Sequence, residues 1–383
     1  MALTEREQEI IDLLRNDPLI TPARIADRLG TTRAAVNVHL SNLGRKGAIL
    51  GRGYILSGQA SIVVIGGANI DIKARSIEPA VPGTSNPGVS TTTAGGVGRN
   101  IAENLARLGT PTHLIAALGH DPHGDRLLAD TRAAGVHLDH IHHSRHPTGT
   151  YTAVLDADGE LILAVADMTA TDDLHPEHLH PARDLITHAA LLILDGNLPA
   201  AVAAYALDLA RGAGVRTIVD PVSVPKAARL SPLFTPARPL YAITPNRAEL
   251  HALTGLDTSE DASLPAAAAE LHQRGVEHVW IRLGASGSLL STRDEDCEII
   301  PADPAHVQDV TGAGDAMLAA FAHALLGGHS PAAAARHGHA AAALTLDSAH
   351  TVRPDLTAHL LDQALIQYQN QTQTPAQNPQ EAA

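Results

Sequence analysis

The chain has 383 residues, of which 44% are hydrophobic and 18% charged, with a formal net charge of −14. This composition fits a globular protein with room for one large α/β unit and a smaller one. A single cysteine, Cys297, excludes an internal disulfide, no apolar run approaches the ~18 residues of a membrane span, and with no leader segment the expected location is cytoplasmic.

The charge is unevenly spread. Residues 1–58 carry eight Lys/Arg and six Asp/Glu, leaving 19 basic and 35 acidic residues for the remainder. A mildly basic head on an acidic body suits contact with a polyanion. Thr4 and Glu7 form a capping-box pattern ahead of Ile10, Ile11, Leu13 and Leu14. Asn16-Asp17-Pro18 ends that helix, and Thr21-Pro22 opens a second one running to Leu29. Gly30 makes the turn into a third helix from Thr32, with Ala35, Val36, Leu40 and Leu43 inward. Residues 49–56 then alternate about a Gly51-Arg52-Gly53 tip, the pattern of a short hairpin. This stretch resembles winged helix-turn-helix regulators. The resemblance implies that Thr31, Thr32, Arg33 and Asn37 face the major groove, that Arg52 meets phosphate, and that DNA is a partner. A dimerising appendage that binds no DNA is the alternative.

From Ser61 the pattern changes. Residues 61–65, 113–118, 191–194, 217–219, 241–243 and 278–283 read as short strands, with Ala- and Leu-rich helical segments between most of them. That alternation predicts an α/β fold with a parallel sheet and helices on both faces. Two stretches, 70–93 and 151–165, break it and predict a small sheet over one edge of the site. The segment from Gln367 has no periodicity and is expected to be disordered.

Five constellations bear chemistry. The first is Asp309-Val310-Thr311-Gly312-Ala313-Gly314-Asp315, followed by a helical run. Glycines opening a helix leave its first N–H groups free to cradle an anion. Asp315 there can accept a proton from an attacking hydroxyl, although it can equally be a helix cap. The second is Asn246-Arg247-Ala248-Glu249, directly after a strand, where Asn246 and Glu249 share a helix face and can serve Mg²⁺ through water and phosphate oxygens. The third, Gly284-Ala285-Ser286-Gly287, lets backbone approach a phosphate or makes a plain hairpin turn. The fourth, Gly95-Gly96-Val97-Gly98-Arg99-Asn100, allows close approach of a ligand. It lacks the preceding strand and following acidic residue of a dinucleotide site, and no P-loop lysine motif exists either. The fifth is Asn69 and Asp71, placed by alternation on one side of a strand.

Together, in this order, the five resemble the ribokinase-like (PfkB) family of carbohydrate kinases over about residues 60–365. The resemblance implies an α/β/α sandwich with a small β-sheet lid over residues 59–366. It implies Asp315 as catalytic base and Gly312, Ala313 and Gly314 as anion hole, with Asn246, Gly284, Gly287 and Thr311 on ATP and Glu249 with Asn246 on Mg²⁺. Asn69, Asp71, Gly95, Gly96 and Asn100 would hold a sugar, and Asp309 and Thr311 would bind a monovalent cation such as K⁺. Within the family, stretches including Ser85-Asn86-Pro87-Gly88, Ala166-Asp167-Met168 and Asp195-Gly196-Asn197 are similar to those of pseudouridine kinases. That implies pseudouridine as acceptor, with Asp167 and Asn197 as further substrate contacts. Another nucleoside, a sugar such as ribose or fructose, or a purely ligand-sensing role are the alternatives, and a homodimer is an expected assembly. The 23 histidines, including His137, His140, His142, His143 and His146, lack metal-ligand spacing and read as a solvated surface.

Overall fold

The computed structural model describes residues 3–16, 20–49, 60–303 and 305–373. The head folds as helices α1 (Glu5–Asn16), α2 (Pro22–Leu29) and α3 (Arg33–Arg45). The predicted capping box forms: Thr4 N–H donates to Glu7 Oε2 at 2.7 Å, and Glu7 N–H donates to Thr4 Oγ1 at 3.3 Å. Thr21 and Thr32 accept from the backbones of Arg24 and Ala35, fixing the starts of the next two helices. Gly30 turns between them at φ 60, and Ile10, Leu14, Ile20, Ile25, Val36 and Leu43 close a small apolar core. The expected wing hairpin, with Arg52, lies outside the described residues.

Strands and helices alternate from residue 60 on. β1 (Ile62–Ile65) leads into the hairpin of β2 (Asn69–Ser76) and β3 (Gly88–Gly95), then α4 (Val97–Arg107). Next come β4 (Thr112–Ile115), β5 (Ala117–Gly119), α5 (Pro122–Ala133) and β6 (His142–Ser144). A second hairpin, β7 (Thr150–Leu155) with β8 (Leu161–Asp167), precedes the short α6 (Thr169–Asp172) and α7 (Arg183–Thr187). The chain then runs through β9 (Leu191–Asp195), α8 (Ala200–Ala213), β10 (Thr217–Asp220) and α9 (Val224–Leu230). β11 (Leu240–Ile243), α10 (Arg247–Thr254), α11 (Leu264–Gln273), β12 (Val276–Arg282), β13 (Ser288–Thr292) and β14 (Glu298–Ile300) follow. The last helices are α12 (Ala313–Leu326), α13 (Pro331–Leu346) and α14 (Ala358–Gln373).

The main sheet has the order β14-β13-β12-β11-β10-β9-β1-β4, parallel except at β13 and β14. Its parallel strands are apolar on both faces because helices cover both. Val63 and Ile65 pack with α8, α10 and α11 residues such as Val202, Leu250 and Leu271. Ile62 and Val64 point the other way, to Ile101, Leu105 and Phe321 of α4 and α12. The two predicted strand-rich stretches form one four-stranded sheet, β3-β2-β7-β8, at the site's edge.

Two expectations are corrected. The run 113–118 is not one strand: it breaks at Ala116, and β5 leaves the main sheet to pair with β6. The tail is helical as far as Gln373, because Leu361 and Leu365 anchor α14 against Leu108 and Ala316, and an anchored helix propagates through polar residues at little cost. Residues 374–383 lie outside the described part.

Candidate active site at the tips of the parallel strands

The carboxyl ends of β1, β9, β10, β11 and β12 converge where the sheet order reverses direction, between β1 and β9. In open α/β sheets this is where ligands bind. Asp195, at the end of β9 and fully buried, organises the loops around it. Its Oδ2 accepts from Gly67 N–H at 2.8 Å and Gly98 N–H at 2.7 Å, and its Oδ1 accepts from Asn197 N–H at 2.8 Å. Burial pushes this carboxyl up, and Gly67, Asn197 and Lys226 oppose that push. Asp195 thus ties the loop after β1 to the start of α4.

Neighbouring protein atoms already crowd the glycines before α4. A Cβ on Gly95 would sit 2.2 Å from the Asp71 carboxylate, and one on Gly96 would sit 2.5 Å from the Ala68 Cα. Gly96 also adopts φ 96. Asn69 and Asp71 do share one face of β2, and Asn69 Nδ2 donates to Asp71 Oδ1 at 2.7 Å. Burial raises the Asp71 carboxyl, and Asn69 opposes it.

The fourth and first constellations meet. Asn100 in α4 is buried and donates from Nδ2 to Asp315 Oδ2 at 2.8 Å. Asp315 lies in the first turn of α12, whose N-cap Gly312 has φ 83. A Cβ there would fall 2.0 Å from the Thr351 carbonyl, so glycine is obligatory. The first N–H groups of a helix have no partner within it and can hold an anion; here Ala313 N–H reaches the Val310 carbonyl at 3.5 Å. Burial above all, then Asp220 and Asp195, pushes the Asp315 carboxyl up to about 8, against the pull of Asn100 and Arg282.

Asn246 and Glu249 share one face as expected, but they do so by capping α10. Asn246 N–H donates to Glu249 Oε2 and Glu249 N–H to Asn246 Oδ1, both at 2.9 Å. Beside them stands Arg282, at the end of β12, which sequence reasoning missed. Its Nη1 lies 3.1 Å from Asp220 Oδ2 and its Nη2 3.4 Å from Glu249 Oε2. Gly284 to Gly287 form the turn between the antiparallel β12 and β13, the plainer of their two readings. Gly287 is needed because a Cβ would lie 2.2 Å from the Ile300 carbonyl.

Asn197 is buried near Gly67 and accepts from Lys226 Nζ, another cation the sequence did not flag. Burial lowers the Lys226 ammonium, and Asp195 opposes this. Asp167 has a structural partner: its Oδ1 accepts from Thr169 N–H at 3.0 Å and Thr169 Oγ1 at 2.6 Å, which holds its carboxyl down. Asp309 and Thr311 do not fit a monovalent cation through their side chains. Lys73 of β2 places its ammonium 2.8 Å from Asp309 Oδ2 and 3.3 Å from Thr311 Oγ1.

The histidines also differ from expectation. Several stack in pairs, His113 on His137, His120 on His143 and His142 on His178. His113 is buried and its imidazole falls to about 4. A parallel bridge between His113 and His137 brings together two rings that spacing alone separates.

In the head, Arg33 and Asn37 are exposed on α3, while the Thr32 hydroxyl is occupied as its cap. No helix among the described residues is long and apolar enough to cross a membrane.

Residues 59–358 match the pfkB family of carbohydrate kinases, and residues 3–49 match a winged helix-turn-helix DNA-binding family. The chain belongs to the pfkB carbohydrate kinase family. It is a sugar or nucleoside kinase of the ribokinase-like fold, with a winged helix-turn-helix domain at its N-terminus. The uncharacterized sugar kinase YeiI of Escherichia coli K12 is 36% identical over 358 residues, 93% of this chain and 97% of that protein. That span is too long to leave out the head. The pseudouridine kinase of the same organism is 33% identical over 297 residues, 77% of this chain and 93% of that protein. The structure of Arabidopsis thaliana ribokinase with ribose and ATP superposes with a TM-score of 0.71 at 28% identity, covering 80% of this chain and 99% of that one.

Proposed function

We propose that this kinase transfers the terminal phosphoryl group of Mg-ATP to the 5′-hydroxyl of pseudouridine, giving pseudouridine 5′-phosphate and ADP. The observation that carries the phosphoryl-transfer chemistry is the Asp315 carboxylate, held by Asn100 at the mouth of a glycine-started helix. Asp315 takes the proton from the acceptor hydroxyl as its oxygen attacks the γ-phosphorus. The bond to the ADP oxygen breaks, and N–H groups of Gly312, Ala313 and Gly314 hold the charge that develops on the transferring group. A carboxyl raised toward neutrality is a better base for an alcohol than an ordinary aspartate.

In this reading Asn69, Asp71, Gly95, Gly96 and Asn100 shape the ribose pocket, while Asn197 and Asp167 are further substrate contacts. Asn246, Gly284, Gly287 and Thr311 lie along the nucleotide. Mg²⁺ arrives with ATP, and Glu249 and Asn246 would hold it through water, where it would offset phosphate charge. The head binds DNA through Arg33 and Asn37 of α3, with Thr32 at its start and Arg52 beyond it.

Pseudouridine is favoured by the quoted sequence stretches and by the relative of that name. A ribose acceptor is the second reading, favoured by the superposition on a ribokinase holding ribose. A coupled ADP-release assay over pseudouridine, uridine, adenosine, ribose and fructose separates the two. The proposal expects pseudouridine to give the highest kcat/KM, and a higher value for ribose would replace it with the second reading.

A further inference from the structure

Arg282 is a part-buried cation of the crevice, with 17% of its side chain exposed, and the roles assigned above leave it without a task. It ends β12, and its backbone N–H donates to the Pro245 carbonyl at 2.8 Å, which sets it beside Asn246 at the tip of β11. Its guanidinium then reaches across two neighbouring strand ends to the Asp220 and Glu249 carboxylates. On its third side is the anion cradle: a Cβ built on Gly314 would lie 2.7 Å from Arg282 Nη1 and meets no other residue's atoms as close. Gly314 thus leaves room for the Arg282 guanidinium at the mouth of α12.

Enclosing a guanidinium is costly unless carboxylates compensate it, and one carboxylate suffices for charge balance. Here two flank it directly and Asp315 acts on it at longer range. The two contacts engage one N–H on each terminal nitrogen, and a guanidinium has five donors in a planar fork suited to phosphate. A cation whose only task was to neutralise Asp220 and Glu249 would not need to press on the helix start that cradles the anion.

We propose that Arg282 is a further catalytic residue, donating to the terminal phosphoryl group of the nucleotide as it passes over Gly312–Gly314 to the acceptor. Asp220 and Glu249 hold the guanidinium in place, so that it presents remaining N–H groups to the equatorial phosphoryl oxygens. Charge builds on those oxygens during transfer, and a fixed cation there lowers the barrier without reorganising. This rests on the phosphoryl-transfer reading and adds the residue that, beside the backbone N–H groups, meets the migrating group.

The test uses full-length Arg282→Gln, Arg282→Lys and the charge-balanced pair Asp220→Asn/Arg282→Gln. Each is measured for thermal midpoint, kcat, KM for acceptor, and affinity for ADP against a non-hydrolysable ATP analogue. Arg282→Gln is expected to lose about 10²- to 10³-fold in kcat with acceptor KM within about threefold. It should also lose the analogue's preference over ADP, since only the analogue carries a γ-phosphoryl group. Arg282→Lys should recover part of kcat, as a point charge without the fork. The double variant should recover the thermal midpoint but not kcat. Recovery of kcat in the double variant, or wild-type kcat in Arg282→Gln, would overturn the proposal by making the residue a structural counter-ion only. If the single variant does not fold, the double variant's kcat decides alone. A wild-type protein that phosphorylates none of the acceptors defeats the reading beneath, while the analogue-to-ADP preference still reports on Arg282.

Discussion

Asn100 and Asp315, 215 residues apart in sequence, are joined by one hydrogen bond of 2.8 Å. The bond stabilises the ionised form of Asp315 against the burial that pushes its carboxyl up to about 8. Removing the donor should therefore raise the carboxyl further. Asn100→Ala is expected to move the ascending limb of the kcat/KM–pH profile to higher pH and to lower the rate at pH 7 by about 10- to 100-fold. An unshifted limb would assign Asn100 to the substrate alone.

The same raised carboxyl has a stability consequence of definite sign. Asp315 keeps its proton in the folded protein at pH values where the unfolded chain, near the ordinary 3.8, has lost it. Folding is therefore penalised increasingly as pH rises from that value, until the folded group ionises and the penalty levels off. Asp315→Asn removes the titration. Its thermal midpoint relative to wild type should rise across this window and plateau above about pH 8. A constant difference from pH 5 to 9 would mean that Asp315 titrates normally.

Lys73 and Asp309 close the contact between the lid and the loop before α12 at 2.8 Å. With an ammonium already there, wild-type turnover should be the same in potassium chloride and choline chloride at equal ionic strength. Lys73→Ala should lose activity and regain part of it with added K⁺. Tenfold activation of the wild type by K⁺ would show that the lysine yields its place to the ion.

DNA binding by the head is addressed by electrophoretic mobility shift of the full chain on DNA from upstream of its own gene. Arg33→Ala should weaken the complex by about 1–3 kcal/mol if it reads a base, and Arg52→Ala should weaken it uniformly across sequences and lower the salt slope. Wild type that shifts no such DNA at low salt sinks the DNA-binding reading.

Much of this architecture is written locally. Thr4 with Glu7, Thr21 before Pro22 and the alternation around 61–65 depend on neighbours a few residues apart, and each appears in the structure. So does the meeting of Asn69 with Asp71, which needs only the two-residue period of a strand. The unread features are long-range pairings of charge. Arg282 looks like a strand-end residue until β10 and α10 bring Asp220 and Glu249 to it. Asp195 looks like a turn former until two glycine loops close on its carboxylate. Glycines were legible as close approaches but not in what approaches: at Gly95, Gly96 and Gly287 it is the protein itself. The partner of Asp167 is unread for the opposite reason: Thr169 stands only two residues on, at a strand-to-helix junction that was not foreseen.

The most direct measurement is product analysis by mass spectrometry after incubating the wild type and Asp315→Asn with Mg-ATP and pseudouridine. The account predicts ADP and pseudouridine 5′-phosphate in equal amounts from the wild type, and a loss of about 10³-fold or more in the variant with ATP affinity retained. Asp315→Asn turning over at the wild-type rate would contradict it.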